Sequence, residues 1–128
     1  MKIRGISREL LDGLLYLGEH TRDDTGTPVE FAGILREEGG VIEEVCLLPG
    51  TTSGENYASL FLDMMPLDTH IAGSVHSHPN GLLSPSNADL RFFSRIGRYN
   101  IIVGPPYSER RWKCFFVNGT PCDLEVIE

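Results

Sequence analysis

The segment Tyr99 to Val103 is a short apolar run between a helix-spaced stretch and the breaker Gly104-Pro105-Pro106. A strand that apolar is covered on both faces, so it belongs inside a sheet. The stretch before it, Ser86 to Gly97, places Leu90, Phe93 and Ile96 on one helical stripe. Ahead of that, Ile71 to His78 alternates in part and reads as another strand. Strand, helix and apolar strand in that order confine the chain to folds in which helices cover a sheet.

The remaining segments agree. Ser7 is placed to cap a first helix carrying Leu10, Leu11, Leu14, Leu15 and Leu17 at helical spacing. Val29 to Arg36 and Val41 to Leu48 read as strands joined by a Gly39-Gly40 hairpin turn. Tyr57 to Met64 reads as a strand stopped by Pro66. Arg111 to Val117 and Thr120 to Ile127 read as a closing hairpin about Asn118-Gly119. One helix, several strands, one helix and more strands predict an α/β or α+β layered domain. At 128 residues a single domain, 1–128, is expected.

Composition excludes several classes. With 41% apolar and 23% charged residues, the chain is not disordered, fibrous or a coiled coil. Its 18 acidic against 11 basic residues leave a net charge of −7 and no basic cluster. Nucleic acid is therefore not an expected partner, because phosphate contacts supply most of that affinity. No apolar run reaches the roughly 20 residues of a membrane span, and the N-terminus does not read as a signal. A cytoplasmic protein without a membrane partner is expected. Cys46, Cys114 and Cys122 form no C-x-x-C pair and read as free thiols. A two-residue turn at Asn118-Gly119 puts Cys114 and Cys122 on opposite faces, whereas a three-residue turn ending on Gly119 sets them opposite each other. Both registers stay open.

The chemistry concentrates around His76 and His78. Residues i and i+2 of a strand project to the same face, so two imidazoles can share one metal. Alone, the pair also suits a solvated face. Asp89, eleven residues on in the first turn of the second helix, would complete two histidines and a carboxylate, a set that leaves a catalytic zinc one open position. Yet Ser86-x-x-Asp89 equally suits a helix capping pair. Glu30 stands in an apolar run, either on an edge facing water or buried beside a metal as a general base.

Taken together, Glu30, His76-x-His78, seven residues and Ser86-x-x-Asp89 resemble the motif of the JAMM (MPN-plus) zinc metalloproteases, with Gly73 and Pro79 matching its flanks. The resemblance implies a cytidine-deaminase-like α/β fold, a curved mixed sheet flanked by helices. It implies one zinc (Zn2+) per chain held by His76, His78 and Asp89, with water as fourth ligand. Glu30 would be the proton-shuttling base and Ser86 would hydrogen-bond the oxyanion. It implies a protease or isopeptidase cutting after the C-terminal Gly-Gly of a ubiquitin-like modifier or its conjugates, with a homo-oligomer left open. The larger family members carry two substrate-gripping insertions. Here Gly104 to Arg110 is short and no histidines or cysteines are spare for a second zinc, so a minimal prokaryotic or archaeal-type enzyme fits better. Tyr57 to Met64 and the Leu82 to Pro85 loop are candidate edges for an added substrate strand. Two other classes remain: a non-catalytic scaffold that keeps a metal, and a two-histidine, one-carboxylate iron oxygenase, in which Glu30 and Ser86 would have no role.

Overall fold

The computed structural model describes residues 2–48, 70–96 and 98–128. The expected Tyr57 to Met64 strand lies outside these. Ser7 closes β1 (Gly5–Ser7) in extended conformation, and its Oγ accepts the Leu10 amide at 3.1 Å. That satisfies one of the amides a helix start leaves open, and α1 (Arg8–His20) follows with Leu11, Leu14 and Leu15 buried. β2 (Ala32–Glu38) and β3 (Val41–Leu47) form the expected hairpin. Gly39 and Gly40 both have positive φ, 60° and 86°, as the two-residue turn requires.

β4 (Ile71–Ser77) pairs antiparallel with β2. The chain then crosses through α2 (Asn87–Ile96) to β5 (Tyr99–Val103), which returns parallel to β4. β6 (Trp112–Phe115), β7 (Pro121–Cys122) and β8 (Val126–Ile127) complete an eight-stranded mixed sheet of order β7-β6-β5-β4-β2-β3-β1-β8. β5 is interior, as its apolarity predicts. One residue departs from that reading: Asn100 in β5 is fully buried, and its Oδ1 accepts the Ser74 hydroxyl at 2.7 Å. β4 and β5 approach so closely at Gly73 that a Cβ there would lie 1.6 Å from the Tyr99 carbonyl oxygen. Only glycine fits.

The closing hairpin is shorter than its sequence pattern. β6 and β7 pair about the turn, but β8 leaves for the far side of the sheet and lies parallel to β1. There the Glu125 carbonyl accepts the Ile6 amide at 2.8 Å, covering an edge that would otherwise stand open. The turn is the three-residue one. The Phe116 amide donates to the Thr120 carbonyl at 2.8 Å, Gly119 takes φ 85°, and Cys114 faces Cys122.

Two cores sandwich the sheet. Leu11, Leu14 and Leu15 of α1 pack with Ile6, Leu35, Val75, Ile101 and Val103. Phe92 and Phe93 of α2 pack with Ile34, Ile102, Phe115 and Leu83. No helix among the described residues is long and apolar enough to cross a membrane.

Candidate metal centre

β4 delivers the histidines. His76 is its second-last residue, paired with Ala32 and Ile102, and His78 lies one residue beyond the strand end. The His78 amide donates to the Val103 carbonyl at 2.8 Å. Past it the chain folds back tightly: the Gly81 amide donates to the His78 carbonyl at 2.9 Å and the Leu82 amide to Asn80 Oδ1 at 3.0 Å. Arg111 Nη2 ties the Gly81 carbonyl at 2.7 Å. This brings the Leu82 carbonyl to 2.8 Å from His78 Nδ1. A carbonyl can only accept, so Nδ1 carries the hydrogen and Nε2 is left to face the cleft.

Across the cleft stands the start of α2. The Asp89 amide donates to Ser86 Oγ at 3.1 Å, and the Ser86 amide donates to Asp89 Oδ2 at 2.8 Å. This is the reciprocal capping pair that the spacing predicts as one alternative. Capping does not exclude ligation. The same Oδ2 meets His78 Nε2 at 3.0 Å, while Oδ1 stays outside both hydrogen bonds. The Ser86 oxygen accepts, so its own hydrogen remains available for donation into the cleft. Burial alone would raise the Asp89 carboxyl. The hydrogen bonds from His78 and the Ser86 amide outweigh it and hold the carboxyl down at about 2. The same bond to Asp89 raises His78 above its ordinary value.

Glu30 does not lie within a strand. β2 begins at Ala32 and is interior, so Glu30 sits just ahead of it, exposed at the rim. Its position is nonetheless fixed. The Phe31 amide donates to Ser77 Oγ at 2.8 Å, and the Ser77 amide donates back to the Phe31 carbonyl at 3.0 Å. Partial burial pushes the Glu30 carboxyl upward, His78 partly offsets this, and Asp89 adds to it. Ligand atoms of Glu30, His78 and Asp89 all lie within 4.8 Å of one another. With Ser86, Pro79, Asn80 and Ala88 these residues line a cleft of about 310 Å³.

His76 does not belong to that close group. It lies behind the cleft, 4% exposed, with its ring edge-on to Phe92 at a centroid distance of 4.5 Å. Burial pushes it down to about 4, so it is a neutral imidazole at ordinary pH. Its Nδ1 is buried and has no hydrogen-bond partner among the described residues.

These donors suit a zinc ion. The set offers a neutral imidazole with an unsatisfied buried nitrogen, a second imidazole whose tautomer a carbonyl fixes, and a carboxylate ionised across the working range. The 3.0 Å between His78 and Asp89 is near the roughly 3.3 Å that two ligands of one tetrahedral zinc keep. Two parts of the arrangement escape sequence reasoning. The Leu82 carbonyl is a backbone group and leaves no side-chain signal. Ser77 stands between two same-face histidines, so strand alternation turns it to the other face, but its partner there, the Phe31 amide, is 46 residues away and leaves no local signal.

The model of the family described as prokaryotic homologs of the JAB domain matches residues 17–115. The chain belongs to this family. A Haloferax volcanii protein named a probable metalloprotease is 38% identical to this JAB domain, over 99% of the chain and 81% of that relative. A JAB1/MPN domain protein from Archaeoglobus fulgidus superposes with a TM-score of 0.75 at 35% identity, covering 100% of both chains. A structure described as a JAMM metalloprotease-like zinc site in the proteasome and signalosome gives 0.75 at 33% identity, over 99% of this chain and 100% of that one. The JAB/MPN fold, a curved mixed α/β sheet flanked by helices, is thus the fold of this chain, as the motif resemblance implies.

Proposed function

We propose that this JAB domain is a zinc-dependent hydrolase that cleaves isopeptide or peptide bonds after the C-terminal Gly-Gly of a ubiquitin-like protein. The observation that carries the reading is the gathering of Glu30, His78 and Asp89 within 4.8 Å at one cleft, beside a Ser86 hydroxyl with a hydrogen to give. His76, His78 and Asp89 would hold the zinc. When bound, the ion supplies a coordinated water with a pKa near 7 and polarises the scissile carbonyl. Glu30 would serve as the general base for the attacking water and as the acid that protonates the leaving amine. Its upward-shifted carboxyl suits both halves of that transfer. Ser86 donates its hydroxyl hydrogen to the oxygen that gains negative charge. Ser77 acts through the Phe31 backbone to keep Glu30 at the rim. A Gly-Gly tail, which has no side chains, can bring its backbone close to the ligand residues of this cleft.

The test pairs metal analysis with a cleavage assay on ubiquitin-like proteins carrying a peptide beyond Gly-Gly, read by mass spectrometry. One zinc per chain and a cut after the second glycine, lost in Glu30→Gln, are the expected result. Zinc without hydrolysis of any such substrate would replace this reading with a metal-stabilised scaffold. Iron in place of zinc would replace it with an oxygenase.

A further inference from the structure

A second pair of reactive side chains lies away from the cleft. Cys114 of β6 and Cys122 of β7 are direct cross-strand partners, and Cys122 Sγ donates toward Cys114 Sγ at 2.8 Å. The three-residue turn closed by Gly119 sets this register, so the fold places the two cysteines directly opposite each other. Directly opposed residues of an antiparallel pair have Cα atoms about 4.5–5.5 Å apart, inside the range a disulfide needs. The pair is also reachable. Cys114 is buried at 3% exposure, but Cys122 is half-buried. Both line a groove of about 810 Å³ between this hairpin and the Leu82 to Pro85 loop.

We propose that Cys114 and Cys122 form a redox-active dithiol site whose reaction partner is a low-molecular-weight disulfide such as oxidised glutathione. The Cys122 thiolate, on the accessible side, attacks one sulfur of the small disulfide and releases one small thiolate. The Cys114 thiolate then attacks Cys122 Sγ in the mixed disulfide, forms the protein S–S bond and releases the second. Two protein thiols are oxidised, one small disulfide is reduced to two thiols, and the two protons leave with them. Burial raises both protein thiols, so they are mostly protonated near neutrality and exchange is slow there. Closure staples β7 to β6, the strand that follows Arg111 and its grip on the Gly81 carbonyl.

The sequence gives a clean readout. Trypsin cutting after Lys113 leaves Cys114 and Cys122 together in the peptide Cys114–Glu128, while Cys46 falls in another. The full-length protein is reduced, equilibrated with oxidised glutathione, alkylated and digested. The expected result is a Cys114–Glu128 peptide two hydrogens lighter that takes up no alkylating agent. Cys46 takes up the agent or carries glutathione. The oxidised protein melts higher than the reduced one, and Cys122→Ser abolishes that difference. Full alkylation of Cys114 and Cys122 after equilibration would overturn the proposal. So would a redox-dependent melting shift that survives in Cys122→Ser. This test needs no cleavage assay, so it stands or falls apart from the hydrolase reading.

Discussion

On one face of the sheet, α1 lays Leu11, Leu14 and Leu15 over Ile6, Leu35, Val75, Ile101 and Val103. On the other, α2 lays Phe92 and Phe93 over Ile34 and Ile102, with His76 buried against the two rings. The first face is built for burial alone. The second places a titratable ring in the core, and its helix begins with Ser86 and Asp89 where β4 ends. α1 also begins with a capping serine, Ser7, but no histidine faces it and it caps only its helix. The same local rule thus serves stability on one side and, by placement at a strand exit, shapes the cleft shared by Glu30, His78 and Asp89 on the other.

Perturbing each face separately tests that division. The largest effect is expected from Glu30→Gln, which keeps shape but removes the base. Hydrolysis should fall by about 10²–10⁴-fold with zinc content unchanged, and a steady-state rate near that of the parent would break the assignment. Next come two truncations of similar cost, Leu14→Ala and Phe92→Ala. Each removes a buried side chain and should lose about 2–5 kcal/mol in denaturant unfolding. Only Phe92→Ala should also weaken zinc binding, because it frees the His76 ring. Equal loss of zinc affinity in both variants would erase the distinction between the faces.

Ser77→Ala crosses the boundary. Its side chain is fully buried and holds the Phe31 amide, so about 1–3 kcal/mol of stability should go with it. The rate constant should drop while KM and zinc content hold, since the ligands are untouched. Restoration of the rate by Ser77→Thr would separate the lost hydroxyl from a general loosening. The smallest effect is in pH dependence. His78 is raised by Asp89, so below that raised value its Nε2 carries a proton that zinc must displace. Zinc affinity should then weaken about tenfold per pH unit as pH falls. His76, pushed down to about 4, adds a second proton only near that pH. A slope of about two already at pH 6, by competition with a metal indicator, would show that both imidazoles titrate together.

Much of this was legible in the residues. Period-3.6 leucines, the Gly-Gly turn and the apolar Tyr99 to Val103 run are local signals, and each became the element it suggested. The motif residues Glu30, His78, Ser86 and Asp89 share one cleft because strand exit and helix start are joined by a short loop. What was not legible is non-local. The pairing of β8 with β1 joins segments more than a hundred residues apart, and nothing in Val126 and Ile127 marks their partner. Glu30 looked like a strand residue because Val29 and Phe31 are apolar, but the register with β4 is reached only at Ala32. The turn that aligns Cys114 with Cys122 differs from its alternative by one residue, and Gly119 takes positive φ in either, so residue types alone do not choose between them.

The crossing of β8 to β1 also carries a consequence for synthesis. Within this domain β1 is synthesised first among the strands and β8 last. Until Glu125 to Ile127 emerge, the outer edge at Ile6 has no strand to receive it and can pair with any other open edge nearby. Folding of this domain therefore completes only after nearly all of it has been translated. A nascent domain that has not yet extended to Glu125 keeps the edge at Ile6 open.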